Sequence, residues 1–140
     1  MLSVYPACFL EEANGYSVIF PDFGCATCGE TQDEAMAMAI DLLAGLVWSA
    51  QRDGDSLPAP SQLTSVSLDA VAAELEVEAG QNSFVTLVSV DASEYARTHF
   101  CKSVKKTLSI PSWLNQLAEE KGVNFSRVLQ NALKQELGVQ

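Results

Sequence analysis

The final forty or so residues carry one strand-like segment and two amphipathic helices, a set of elements that cannot fold alone. Residues 104–110 read Val-Lys-Lys-Thr-Leu-Ser-Ile and run into Pro111. Strand alternation puts Lys105, Thr107 and Ser109 on one face and Val104, Leu108 and Ile110 on the other. Pro111 sets the φ of a first helical turn, Trp113, Leu114, Leu117 and Ala118 follow at helical spacing, and Gly122 is a natural stop. Asn124 then caps a second helix whose Phe125, Val128, Leu129, Ala132, Leu133 and Leu137 form one stripe. A lone strand leaves its backbone groups unpaired, and stripes of this size find nothing to pack on within forty residues. The segment therefore requires a second copy. In a two-fold pair the strands form an antiparallel ribbon. Val104, Leu108, Ile110, Trp113, Leu114, Leu117, Val128, Leu129 and Leu133 turn inward, and Lys105, Thr107 and Ser109 form an outward polar, basic face.

Charge divides the chain at the same place. The 140 residues have a formal net charge of −10. Residues 1–101 hold Arg52 and Arg97 against fifteen Asp and Glu, 2 − 15 = −13; residues 102–140 hold six Lys and Arg against three Glu, 6 − 3 = +3. The tail is suited to phosphate; the body's acidic excess suits a basic partner and is equally accounted for as a charge that keeps the protein soluble. No stretch approaches the roughly 18 apolar residues of a membrane span, and the start lacks the basic and long apolar regions of a secretory signal, so a cytoplasmic protein is expected.

The body reads as α+β. Residues 2–10 and 16–20 are β-prone, and Asn14-Gly15 between them has the residues of a tight hairpin turn. Residues 25–29 suit a third strand. Thr31 with Glu34 makes a capping box, and apolar residues recur at helical spacing from Met36 to Ala50, which predicts a helix to about Gln51 packed on one sheet face. Asp53-Gly54-Asp55, Pro58 and Pro60 end it and begin a connector. A short helix is expected around Leu68 to Leu75. The uninterrupted run from Phe84 to Val90 reads as an interior strand covered on both faces, pairing beside the hairpin. Asp91 with Glu94 opens another helix, to about Phe100, that carries the chain away from the body. Domains are expected at residues 1–100 and 101–140.

Other chemistry is weakly supported. Cys25-Ala26-Thr27-Cys28 is a lone CxxC, and a tetrahedral zinc site needs four ligands, so Cys8 and Cys101 would have to join it. Packing is the simpler role for Cys8, and four free thiols, no metal and no cofactor are expected. His99 is the sole histidine, which excludes paired-histidine metal motifs; its place in a linker helix reads as surface. Asp22, Glu30, Glu34 and Asp91 form an imaginable carboxylate cluster for a nuclease, but capping and solvation account for acids at turns and helix starts. Tyr16, Phe20 and Phe23 beside Asp22 combine aromatics with a carboxylate, as an anchor for a basic partner does; Phe20 and Phe23 read equally well as core.

The tail, with Lys-Lys-Thr-Leu-Ser-Ile-Pro-Ser-Trp-Leu and then Gly-Val-Asn-Phe-Ser-Arg-Val-Leu-Gln-Asn-Ala-Leu, resembles a ribbon-helix-helix repressor domain. The body, with Tyr5-Pro6-Ala7, Asn14-Gly15-Tyr16, Phe20-Pro21-Asp22 and Gly29-Glu30-Thr31, resembles the HicB antitoxin family; it departs from that family in having Phe23-Gly24-Cys25 where Pro-Gly-Cys is common. The resemblance implies a non-enzymatic antitoxin. Its body, a partial ribonuclease-H-like antiparallel sheet with a packed helix, would silence a small basic HicA-type toxin that cleaves messenger RNA; the contacts read from the residues themselves are Tyr16, Phe20, Asp22 and Phe23. Its tail would repress the operon as a homodimer on operator DNA, with higher assembly left open. Lys105, Thr107 and Ser109 would read base edges from the ribbon. Asn124, Phe125 and Ser126 would set backbone N–H groups against a phosphate, with Lys106 and Arg127 as further backbone contacts. Two alternatives stand beside this: a free-standing repressor whose acidic body senses a small ligand, and a metal-dependent nuclease.

Overall fold

Strand β1 (Leu2–Glu12) turns back through Ala13 and Asn14 into β2 (Gly15–Phe20), and β3 (Cys25–Gly29) follows after a short turn. In this computed structural model, which describes Met1–Gln140, β4 (Phe84–Asp91) completes an antiparallel sheet in the order β3-β2-β1-β4. The expected hairpin is present, but Asn14 does not take a positive φ; Gly15 does, at +141°, and a Cβ there would overlap the Gly29 carbonyl oxygen. The strand register sets Glu12 opposite Gly15 and Cys8 opposite Ile19.

Helix α1 (Gln32–Asp53) covers one sheet face. Tyr5, Ala7 and Phe9 of β1, Val18 and Phe20 of β2, and Val88 and Val90 of β4 bury against its Ala35, Ala39, Leu43, Ala44 and Val47. At its start the Thr31 hydroxyl accepts the Glu34 N–H at 3.1 Å, while the Glu34 carboxylate accepts the Glu30 N–H at 3.0 Å. Thr31→Ala should therefore cost about 1 kcal/mol in urea unfolding of the full chain. The helix closes on Gly54 at φ +76°. Helix α2 (Leu68–Glu74) lies on the opposite face, where Ala72 packs with Leu10 and Ile19.

Coverage on both sides therefore falls to β1, buried without a break from Tyr5 to Leu10, and not to β4. The expectation of an interior β4 is corrected. It pairs only with β1, Leu87 stands 49% exposed, and β4 forms a sheet edge. Its β-branched composition gives strand propensity without saying which neighbours it has. Pro6, which argues against a central strand, lies beyond the last β1–β2 pair and there faces β4 alone. Helix α3 (Ala92–His99) is capped by Asp91, whose side chain accepts the Glu94 N–H at 3.1 Å. It does not leave the body: Ala92 and Ala96 are buried, and Tyr95 and Phe100 pack on the main core.

Two compact units result, Met1–Lys102 and Ser103–Gln140. The second consists of a segment without regular secondary structure, where a strand was expected over 104–110, then α4 (Ser112–Glu120) and α5 (Phe125–Leu137), the latter capped by Asn124, which accepts the Arg127 N–H at 3.0 Å; a lone strand has no ladder to close on in a single chain. No residue in either helix is buried.

Candidate functional site

In the first unit a surface is assembled where β2 ends. Phe23 and Gly24 donate their N–H groups to the Phe20 carbonyl oxygen at 3.1 and 3.0 Å, closing the turn, and Gly24 takes φ +63°. The Asp22 carboxylate accepts both the N–H of Ser61, at 3.0 Å, and its hydroxyl. Tyr5 donates its phenol to the Pro58 carbonyl oxygen at 2.8 Å, and the Phe23 ring lies 4.6 Å from the Tyr5 ring. Burial, reinforced by the Asp22 charge, pushes the Tyr5 phenol above its ordinary pKa and keeps that donor protonated. The connector after α1 is thus fastened to the sheet at two points.

The four residues expected to anchor a partner are not gathered together. Phe20 is fully buried in the core, and Phe23 packs on that core half-exposed. Asp22 is engaged with Ser61. Tyr16 stands at the other end of β2, about 13 Å along the strand, beside Phe84. The core reading of Phe20 and Phe23 describes what their side chains do in this fold.

The sequence missed the depression next to Phe23, between α1 and the connector, with Asp41, Gly45, Leu46, Asp55 and Leu57 among its lining. One signal was available: Gly45 interrupts an otherwise strong helical pattern. Asp41 also accepts the Tyr95 phenol at 2.9 Å, tying α3 to α1. Burial, helped by this bond to Asp41, raises the Tyr95 pKa.

The acids and thiols are separately employed. Glu34 caps α1, and Asp91 caps α3 while pairing with the terminal amine at 2.8 Å, which holds its carboxyl below the usual range. No three His, Cys, Asp or Glu side chains are gathered to hold a metal ion. Cys25 and Cys28 sit three apart on β3, so strand alternation sends them to opposite faces. All four cysteines are free; burial makes the Cys8 thiol a weaker acid than usual. His99 is exposed and stacks on Tyr95 at 3.9 Å.

In the second unit, Lys105, Lys106, Thr107 and Ser109 are exposed along a segment that joins no sheet. Asn124, Phe125, Ser126 and Arg127 are exposed at the α5 N-terminus, where the Asn124 side chain takes the Arg127 N–H. Val104 is 85% exposed, Leu108 58%, Trp113 65% and Val128 55%. Ile110, Leu114, Leu117 and Leu133 are also exposed, and Leu129 is half-buried.

A family model described as the HicB-like antitoxin of bacterial toxin-antitoxin systems matches residues 5–132. A chain from a toxin-antitoxin complex of Streptococcus pneumoniae is 36% identical and covers 97% of this chain and 99% of its own length, with a TM-score of 0.62. A chain of the HicA3 and HicB3 toxin-antitoxin complex is 21% identical over 61% of this chain and 94% of that one, at a TM-score of 0.47. The antitoxin HicB3 is 19% identical, with 96% and 97% covered and a TM-score of 0.48. No curated protein matches the sequence. No helix is long and apolar enough to cross a membrane.

Proposed function

This chain belongs to the HicB-like antitoxin family, and on that premise we propose that its two units divide two tasks: the acidic body neutralises a small basic HicA-type toxin that cleaves messenger RNA, and the tail represses the operon encoding both. The body, taken as a trimmed ribonuclease-H-like sheet, works by binding and not by catalysis. Its charge, two basic residues against fifteen acidic ones over residues 1–101, favours encounter with a basic protein.

The observation that carries the tail reading is its wet apolar surface. A helix pair with no buried residue, preceded by a segment that joins no sheet, has the chemistry of half a fold. Two copies joined as a ribbon-helix-helix dimer would pair residues 104–110 across the two-fold, bury Val104, Leu108, Ile110, Trp113, Leu114, Leu117, Val128, Leu129 and Leu133, and present Lys105, Thr107 and Ser109 together. A two-stranded ribbon fits the DNA major groove, where those side chains reach base edges. The amide groups at Asn124, Phe125 and Ser126 would take a phosphate at the positive end of α5. Lys106 and Arg127 would add phosphate contacts.

Separation of the two tasks tests the reading. Lys105→Ala or Thr107→Ala should weaken operator binding by about 10-fold or more while the full chain still rescues cells from the toxin. Wild-type operator affinity should fall steeply with added salt as phosphate-bound counterions are released. Rescue lost together with DNA binding in a folded Thr107→Ala chain would refute the division of labour.

A further inference from the structure

Helix α1 and the connector behind it enclose an open groove of about 500 Å³. Leu42, Leu46, Leu57 and Phe23 give it apolar walls, and Asp41 and Asp55 add two carboxylates. We propose that this groove seats a lysine- or arginine-bearing segment of the basic toxin, its aliphatic stem on the leucines and its charged head at Asp55. The inference rests on the neutralising role proposed above and says where on the body that role is exercised.

Charge selects the occupant. Arg52, the sole cation on α1, is taken by Asp53, with Nε 2.9 Å from Oδ1. The ion pairs within the chain involve Asp91, Asp53 and Glu94, which leaves Asp55 with none. A long basic side chain suits such a place because its methylenes cover apolar surface while its head stays with the carboxylate. A second copy of the body would bring the same acidic excess and meet repulsion.

Gly45 supplies an independent argument. A glycine inside a helix destabilises it relative to alanine, so its presence in the middle of α1 calls for a reason. The chain's own packing provides none: a Cβ at Gly45 would meet only the Phe100 ring, at 3.9 Å, an ordinary contact. The bare backbone instead leaves room in the groove lining for something from outside to come close. The opposite wall is held ready by the bonds from Ser61 to Asp22 and from Tyr5 to Pro58, so little ordering is required on binding.

The test uses the full-length chain and, as probe, a HicA-type toxin, a small basic protein taken from the reading frame next to this chain's gene where one is encoded there, with titration calorimetry and growth rescue as readouts. Gly45→Gln should melt no lower than wild type yet bind the probe at least about 10-fold more weakly, since it fills a desolvated contact. Asp55→Lys, at an exposed position, should weaken binding by a similar factor. Glu78→Lys, which makes the same charge change outside the groove, should weaken it less than about 3-fold. Equal losses for Asp55→Lys and Glu78→Lys would mean that bulk charge attracts the partner, and would overturn the groove. Wild-type binding by both groove variants would overturn it too, as would a change in the oligomeric state of Gly45→Gln that marked the groove as a contact between copies. A wild-type chain that binds no such basic protein would instead defeat the neutralising role itself, and the groove with it.

Discussion

Leu108→Glu should leave the chain monomeric in solution and weaken the proposed operator binding by at least about 100-fold, a loss of roughly 3 kcal/mol. In the proposed ribbon, residue 108 points inward from both strands close to the two-fold axis, so one substitution places two carboxylates in a shared apolar interior. Neither would have a cation to pair with, and burying an unpaired charge is among the most destabilising changes available to an interface. The isolated chain gives no hint of this cost, because Leu108 is 58% exposed there and the substitution is harmless to the body. Sedimentation and operator-binding assays check both halves of the expectation. A Leu108→Glu protein that still sediments as a dimer with unchanged operator affinity would remove the pairing on which the tail's role depends.

The second large effect lies in the body. At Gly29 an added Cβ would sit 2.7 Å from the Ala35 Cα and closer still to its nitrogen, so even alanine cannot be accepted without moving the start of α1 off β3. Both obstructing atoms are backbone, and no rotamer change relieves them. Gly29→Ala should lower stability by about 3 kcal/mol, and the melting temperature by about 10 °C. Toxin rescue should fail at temperatures where the wild type succeeds. A melting temperature within a degree or two of wild type would show that α1 has more freedom at its N-terminus than its packing indicates.

Where local chemistry decides structure, it was legible in the residues. The caps at Thr31, Asp91 and Asn124 all form, and the α1 stripe meets the sheet as its spacing requires; residues 104–110, expected as a strand, form none within the single chain. What escaped the sequence was relational. The Phe84 to Val90 run has the composition of a covered strand but lies at an edge, while β1, which contains Pro6, occupies the covered position. Composition reports that a segment is content in a sheet; the order of the strands depends on what packs over each face, here α1 and α2 over β1. Phe20 and Phe23 illustrate the same limit, since an aromatic near a carboxylate looks alike whether it faces a partner or the core. The groove was harder still, because its walls come from α1 and from a connector held in place by Asp22 and Tyr5. Only Gly45 left a trace of it.

The edge position of β4 also bears on how these molecules behave toward one another when crowded. From Phe84 to Val90 that rim carries no charge and no proline, and it shows Leu87 to solvent, so it lacks the usual guards against sticking to a stranger's sheet. Mutual repulsion of strongly anionic bodies, which acts over about 8 Å at physiological ionic strength, would supply such a guard at a distance. The surplus of carboxylates would then serve two ends at once, drawing in the proposed cationic partner and keeping the sheet of one body from that of another even where the tails pair.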